Sequence, residues 1–239
     1  QAEKLNPEQR TVRLLKEIQQ ELHLDRLPMQ IECFDNSNIQ GSDPVAGCVV
    51  FVKGKPSKKD YRKYNIKTVE GPDDYASMKE VVKRRYQRAI EEKAPLPDLL
   101  ITDGGKGQMS AVKEAIDELG LNIPIAGLAK DGKHRTSELL YGYPPQTIGL
   151  KQNTPLFRLL TQIQDEVHRF AITFHRDKRS KRQIASALDA IKGIGEKTKS
   201  TLLKEFKSVK RIREASAEEL AAVVGEAKAK IIQTYFSEK

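Results

Sequence analysis

Asp35 and Asp103 each stand directly after a short apolar run, Ile31-Glu32-Cys33-Phe34 before the first and Leu99-Leu100-Ile101-Thr102 before the second. Such runs read as buried strands. An aspartate at the end of one is held on a rigid element while its carboxylate points into the crevice beyond the strand. One aspartate in that place most often caps the turn that follows. Two at equivalent strand ends would repel each other as neighbours, and a hard divalent cation relieves the conflict; oxygen ligands suit Mg2+ or Mn2+. The third residue of suitable chemistry is His168, in Asp165-Glu166-Val167-His168-Arg169-Phe170. A lone histidine is usually structural, so its weight depends on its setting.

Two glycine-bearing segments could meet phosphate. Asp103-Gly104-Gly105-Lys106-Gly107-Gln108 lacks the spacing and the closing Lys-Ser/Thr of a nucleotide-binding P-loop. Its glycines fit better as a place where a DNA phosphate approaches the amides of a helix start, with Lys106 countering the charge. Leu188 to Thr198 has the hydrophobic-x-Gly-hydrophobic-Gly turn of a helix-hairpin-helix. Its candidate DNA contacts are Lys192, Gly193, Ile194, Gly195, Lys197 and Thr198, with Gly195 expected at positive φ. A second, shortened hairpin around Gly225 lacks the second glycine, which leaves its contact with DNA open.

The elements that must position these residues follow from periodicity. Asn6-Pro7-Glu8-Gln9 is a capped helix start, and Val12, Leu14, Leu15, Ile18 and Leu22 continue it to about residue 24. Strands are expected at 29–34, 45–52 and 61–67, joined by links too short for parallel crossovers. A helix from Gly71 to about Lys93, a strand at 97–102, a helix ending near Gly120 and a strand at 123–129 then alternate, which implies parallel pairing. Residues 130–152 read as irregular, with Gly132, Gly142, Pro144, Pro145 and Gly149. A long helix from Thr154 carries Leu156, Leu159, Leu160, Ile163, Val167 and Ala171 on one face. The expected product is an α/β mixed five-stranded sheet with flanking helices, followed by a small all-α tandem helix-hairpin-helix domain. The boundaries are 1–178 for the first domain, 179–186 for a basic linker without a packing pattern, and 187–239 for the second.

The formal charge of +9 is local. Residues 176–213 hold thirteen Lys or Arg against four acids, and the rest of the chain balances at twenty-nine against twenty-nine. A neutral body with one basic segment points to a polyanion met at one place, although a basic run alone is more commonly a solvated face. No apolar run approaches the roughly 20 residues of a membrane helix, and no signal pattern opens the chain, so a cytoplasmic location is expected. Cys33 and Cys48, inside apolar runs and out of any metal spacing, read as buried reduced thiols. The chain starts at Gln1, which suggests a fragment or a processed chain.

Four segments together resemble one family: Cys33-Phe34-Asp35-Asn36-Ser37; Gly71-Pro72-Asp73-Asp74-Tyr75-Ala76; Pro97-Asp98 through Asp103 to Gln108; and Asp165 to Ile172 with His175-Arg176. In this order they are similar to the C-terminal half of the UvrC family of bacterial nucleotide-excision-repair nucleases. The resemblance implies an RNase H-like fold for residues 1–178 and an Asp35, Asp103, His168 catalytic and metal-binding set, with Asp74 as a supporting acid. It also implies incision of double-stranded damaged DNA on the 5′ side of a lesion, in a complex with UvrB, whose binding hairpin is not visible in this sequence. A histidine in place of a third carboxylate leaves the number of metals open. Two other readings remain: a non-catalytic DNA-binding protein on an RNase H-like scaffold, and a nuclease of RNA–DNA hybrids.

Overall fold

The computed structural model describes residues 4–37, 44–69, 73–130 and 136–238. Gly71 and Pro72 of the expected helix start, turn residues 38–43 and Gly132 lie outside the described residues. Helix α1 (Pro7–Glu21) opens with the expected capping box, in which Asn6 Oδ1 accepts from Gln9 N and Gln9 Oε1 accepts from Asn6 N. Strands β1 (Gln30–Ser37), β2 (Val45–Val52), β3 (Lys55–Pro56) and β4 (Arg62–Asn65) precede helix α2 (Asp74–Glu92). Then come β5 (Leu99–Asp103), α3 (Lys106–Glu118), β6 (Ile125–Lys130), β7 (Thr136–Tyr141), β8 (Gln146–Gly149) and α4 (Pro155–Asp189).

Among the described residues the sheet has eight strands, in the order β3-β2-β1-β5-β6-β7-β8 with β4 beside β2. β1 pairs antiparallel with β2 and parallel with β5, and β5 pairs parallel with β6. Five strands were expected, and part of the difference lies in the stretch expected to be irregular. β7 and β8 form an antiparallel hairpin there, with Leu139 and Leu140 both buried. Its glycines and prolines sit at the turn and at the end of β8, where they do not interrupt pairing. Their density hid two short strands.

Side-chain alternation sorts the sheet into two cores. Ile31 and Cys33 of β1, Leu99 and Ile101 of β5, and Ala126 and Leu128 of β6 pack with α1 and with Leu156, Leu159, Leu160, Ile163 and Val167 of α4. Phe34, Leu100 and Leu140 face the other way, against Met78, Val81, Val82 and Tyr86 of α2 and Met109, Val112 and Ile116 of α3. The two thiols are free, and they fall in different cores. Within the second core Glu32 is 2% exposed, and its carboxylate accepts from Arg85 Nε, Tyr86 Oη and Gln30 Nε2. A buried charge so fully hydrogen-bonded is a structural pair.

Two compact units divide at 174/175. The stretch 179–186, expected as a linker, is helical, because α4 runs unbroken to Asp189. No glycine or proline lies between Leu156 and Lys192, and Lys and Arg are good helix formers. Ile184 and Leu188, one turn apart, supply the packing stripe that the basic residues obscured. The second unit adds α5 (Glu196–Phe206), α6 (Val209–Glu214), α7 (Ala217–Val224) and α8 (Glu226–Ser237). Its core joins Ile184, Leu188, Ile191, Ile194, Leu202, Ile212, Leu220, Ala229 and Ile232. Ser208 and Ser216 cap α6 and α7 through their hydroxyls.

Candidate metal centre

Register brings the two aspartates together. Cys33 pairs with Ile101 and Phe34 with Thr102, so the next step along the parallel ladder sets Asp35 beside Asp103. Both have the parity of Ile31 and Ile101, the face that α4 covers. His168 reaches the same point from α4, and its Nδ1 lies 3.2 Å from Asp35 Oδ2. One ligand atom from each of Asp35, Asp103 and His168 falls within 4.8 Å of the others. The two carboxylates are nearly buried and the imidazole half-exposed, so the cluster opens to solvent on one side.

Burial, and after it the charge of Asp103, push the Asp35 carboxyl up to about 7, against the pull of His168 and Lys130. The excess negative charge of this pair is what a divalent cation would neutralise. Two carboxylate oxygens with one imidazole nitrogen are a donor set that Mn2+ accepts and Mg2+ tolerates.

Several residues that hold this geometry were not singled out in the sequence. Gln164, one turn before His168 and 4% exposed, donates from Nε2 to Asp103 Oδ1 at 2.7 Å. Lys130, at the end of β6, stands 3.5 Å from Asp103 Oδ2. α4 is fixed in rotation by Tyr61, whose hydroxyl bonds Glu166 at 3.0 Å and whose ring meets Phe170 edge-on. Gly47, opposite Asp35 in the ladder, lets α4 lie close: a Cβ there would stand 3.0 Å from the Phe170 ring and 3.6 Å from Ala171. Gly127 does the same for the loop after Asp103, because its Cβ would fall 2.9 Å from the Gly104 carbonyl and 2.8 Å from Met109 Sδ. Only contacts between elements reveal these roles.

Asp74, the expected supporting acid, is the exposed first residue of α2 and is not one of the three clustered residues. Asn36 Nδ2 donates to its backbone carbonyl at 3.1 Å, which ties the start of α2 to the end of β1. Lys106 is exposed at the start of α3, whose N-cap Gly105 offers no side chain to the first-turn amides.

In the second unit, Gly193 takes φ 96°, whereas Gly195 has φ −92° and is the N-cap of α5. The expectation of positive φ at Gly195 is therefore corrected: the left-handed residue of the turn is Gly193. Lys192, Gly195 and Lys197 are exposed, but Ile194 belongs to the core. Thr198 is buried, and its hydroxyl accepts from Lys228 Nζ at 2.9 Å. Lys199 is bound to Asp189 at 3.0 Å. Gly225 takes φ 87° between α7 and α8.

A mixed sheet whose central parallel strands end in paired aspartates, with a helix covering that face, belongs to the RNase H-like class of folds. Residues 4–172 match the family described as the UvrC RNAse H endonuclease domain, and residues 183–239 match the helix-hairpin-helix motif. The chain belongs to the UvrC family. It is 81% identical over 233 residues to UvrABC system protein C of Bacteroides fragilis, covering 98% of this chain and 38% of that protein. The protein of the same description from Bacteroides thetaiotaomicron is 82% identical over 234 residues, with the same coverage of 98% and 38%. That of Porphyromonas gingivalis strain W83 is 58% identical over 233 residues, 97% of this chain and 38% of that protein. The chain thus spans 38% of the length of these curated relatives.

Proposed function

We propose that this chain is a divalent-metal-dependent endodeoxyribonuclease of nucleotide excision repair. In this reading it hydrolyses a phosphodiester on the 5′ side of a lesion in double-stranded DNA. The observation that carries the reading is the convergence of Asp35, Asp103 and His168 within 4.8 Å. Family membership supports the repair setting, with UvrB as protein partner and a cytoplasmic location.

Asp35, Asp103 and His168 would hold Mg2+ or Mn2+, which would supply Lewis-acid stabilisation of charge on the phosphoryl group and ease deprotonation of water. The chain's own part is geometric. Asp35 and Asp103 offer oxygens from rigid strand ends, and Gln164 fixes which oxygen of Asp103 faces the cluster. His168 orients Asp35 through Nδ1. Asp74 is assigned a supporting acidic role, because Asn36 holds its helix start next to β1. Lys106 and the uncapped first turn of α3 are assigned to a neighbouring phosphate.

The turn at Gly193 to Gly195 is assigned to backbone phosphate contact. Lys192 and Lys197 supply salt-dependent attraction, while Ile194 and Thr198 act through their buried packing. The duplex-binding motif favours DNA over an RNA–DNA hybrid, and intact ligands favour an enzyme over a binding scaffold. The test is nicking of a lesion-bearing duplex and of a hybrid, each with Mg2+, Mn2+ or chelator. Metal-dependent nicking of the duplex is expected; preferential cutting of the hybrid, or none with any metal, would overturn the reading.

A further inference from the structure

Two groups share the Asp103 carboxylate on unequal terms. Gln164 makes a directed 2.7 Å bond to Oδ1 from a buried position. Lys130 makes a loose charge contact to Oδ2 at 3.5 Å, with its side chain still 34% exposed. A cation held at this cluster would take an oxygen of Asp103. Displacing the lysine costs less than displacing the amide, because the ammonium moves into water while the amide would lose a directed bond in a buried place.

The lysine is aimed at the cluster. Ala126 and Leu128, two and four residues before it, lie in the core that α4 covers. β6 slips register with β7 between Ala129 and Lys130. Irregularities of this kind re-aim a side chain at a strand's end and are over-represented beside active sites. A long, flexible, half-exposed ammonium next to paired carboxylates has one further place to go when a cation arrives: the phosphate that the cation brings with it.

We propose that Lys130 is a catalytic residue of this site, competing with the divalent cation for Asp103 Oδ2 and then meeting a non-bridging oxygen of the scissile phosphate. The proposal rests on the nuclease reading above. In the hydrolysis a water oxygen bonds to phosphorus and the bond from phosphorus to the leaving sugar oxygen breaks. The bonding pair leaves with that oxygen, which takes a proton from solvent and ends as a hydroxyl, and the proton of the attacking water passes to solvent. Lys130 keeps its proton throughout and stabilises the negative charge that builds on the phosphoryl oxygens.

A counter-ion that only props up Asp103 would behave differently. Lys130→Met and Lys130→Arg should be compared with the unaltered chain by Mn2+ calorimetry, by thermal melting, and by the rate of duplex nicking at saturating Mn2+. Lys130→Met is expected to bind Mn2+ several-fold more tightly and to nick about 10²-fold more slowly once saturated, with Lys130→Arg recovering part of the rate. Weaker Mn2+ binding in Lys130→Met, or nicking at the full rate, overturns the proposal. If the unaltered chain binds Mn2+ but nicks no duplex, the nuclease reading has failed and the catalytic assignment falls with it. Tighter Mn2+ binding by Lys130→Met would then still separate competition at Asp103 from that failure.

Discussion

The carboxylate cluster and the Gly193 turn are built on opposite principles. The cluster draws Asp35, Asp103 and His168 from two strand ends and one helix, so it exists only when the whole sheet is in register. It concentrates charge in a buried place, at the expense of stability, for a cation to neutralise. The turn draws on a few consecutive residues, buries no charged side chain, and depends on one backbone angle at Gly193. One site is long-range and electrostatic, the other local and conformational. Damage should therefore spread differently from each.

The sharpest difference should appear in activity. Asp35→Asn or Asp103→Asn is expected to lower metal-dependent nicking by about 10³-fold or more, since each removes a proposed metal ligand, while the midpoint of DNA binding stays near normal. Gel-shift and nicking assays on the same preparations check this. Loss of DNA affinity in either mutant would merge the two regions into one function.

Next comes the stability stored in the cluster. The Asp35 carboxyl sits at about 7 in the fold against an ordinary value of 3.8. Between these two pH values the folded chain holds the extra proton, so the stability from this group is complete below about pH 4 and is lost as pH rises through about 7. Chelated protein should lose at most about 4 kcal/mol from this source by pH 8. Asp35→Asn should flatten that slope and melt higher than the unaltered chain at pH 8 in chelator. Melting curves from pH 4 to 8 decide it, and an unchanged slope in the mutant would remove Asp35 as its origin.

Packing around the cluster is the third lever. Gly127→Ala places a methyl group 2.9 Å from a backbone carbonyl and should cost about 1–3 kcal/mol by urea denaturation, with nicking reduced because the loop after Asp103 shifts. The turn offers a cleaner contrast. Gly193→Val should destabilise the second unit by about 1–2 kcal/mol through its positive φ. Gly195→Ala, with φ −92° and open space at the Cβ, should leave stability unchanged. Any several-fold loss of DNA affinity in Gly195→Ala, accompanied by a shallower salt dependence, then reports a phosphate approaching that backbone. Full affinity would place the contact elsewhere.

How much of this was legible in the sequence follows the same division. Asp35 and Asp103 were readable because strand ends are local signals, whereas His168 entered the set through the family resemblance; the fold brings one ligand atom of each within 4.8 Å of the others. Gln164, Lys130, Gly47 and Gly127 were not, since each matters only through a neighbour on another element. The hairpin of β7 and β8 was hidden because glycine and proline density reports turns without saying that short strands lie between them. The continuity of α4 was hidden by its charge, although the pair Ile184 and Leu188 carried the helical spacing. At the turn, glycine identity marked the motif, but not which of Gly193 and Gly195 holds the left-handed angle.

The central claim is that Asp35, Asp103 and His168 bind one or more catalytic cations. Anomalous diffraction from crystals soaked in Mn2+ tests it most directly, with Asp35→Asn crystals as control. The account predicts an anomalous peak within coordination distance of one oxygen from each aspartate and a nitrogen of His168, with Lys130 moved off Asp103, and a peak lost or much weakened in Asp35→Asn. A chain that nicks DNA with Mn2+ while its only manganese peaks lie away from these three side chains would contradict the account.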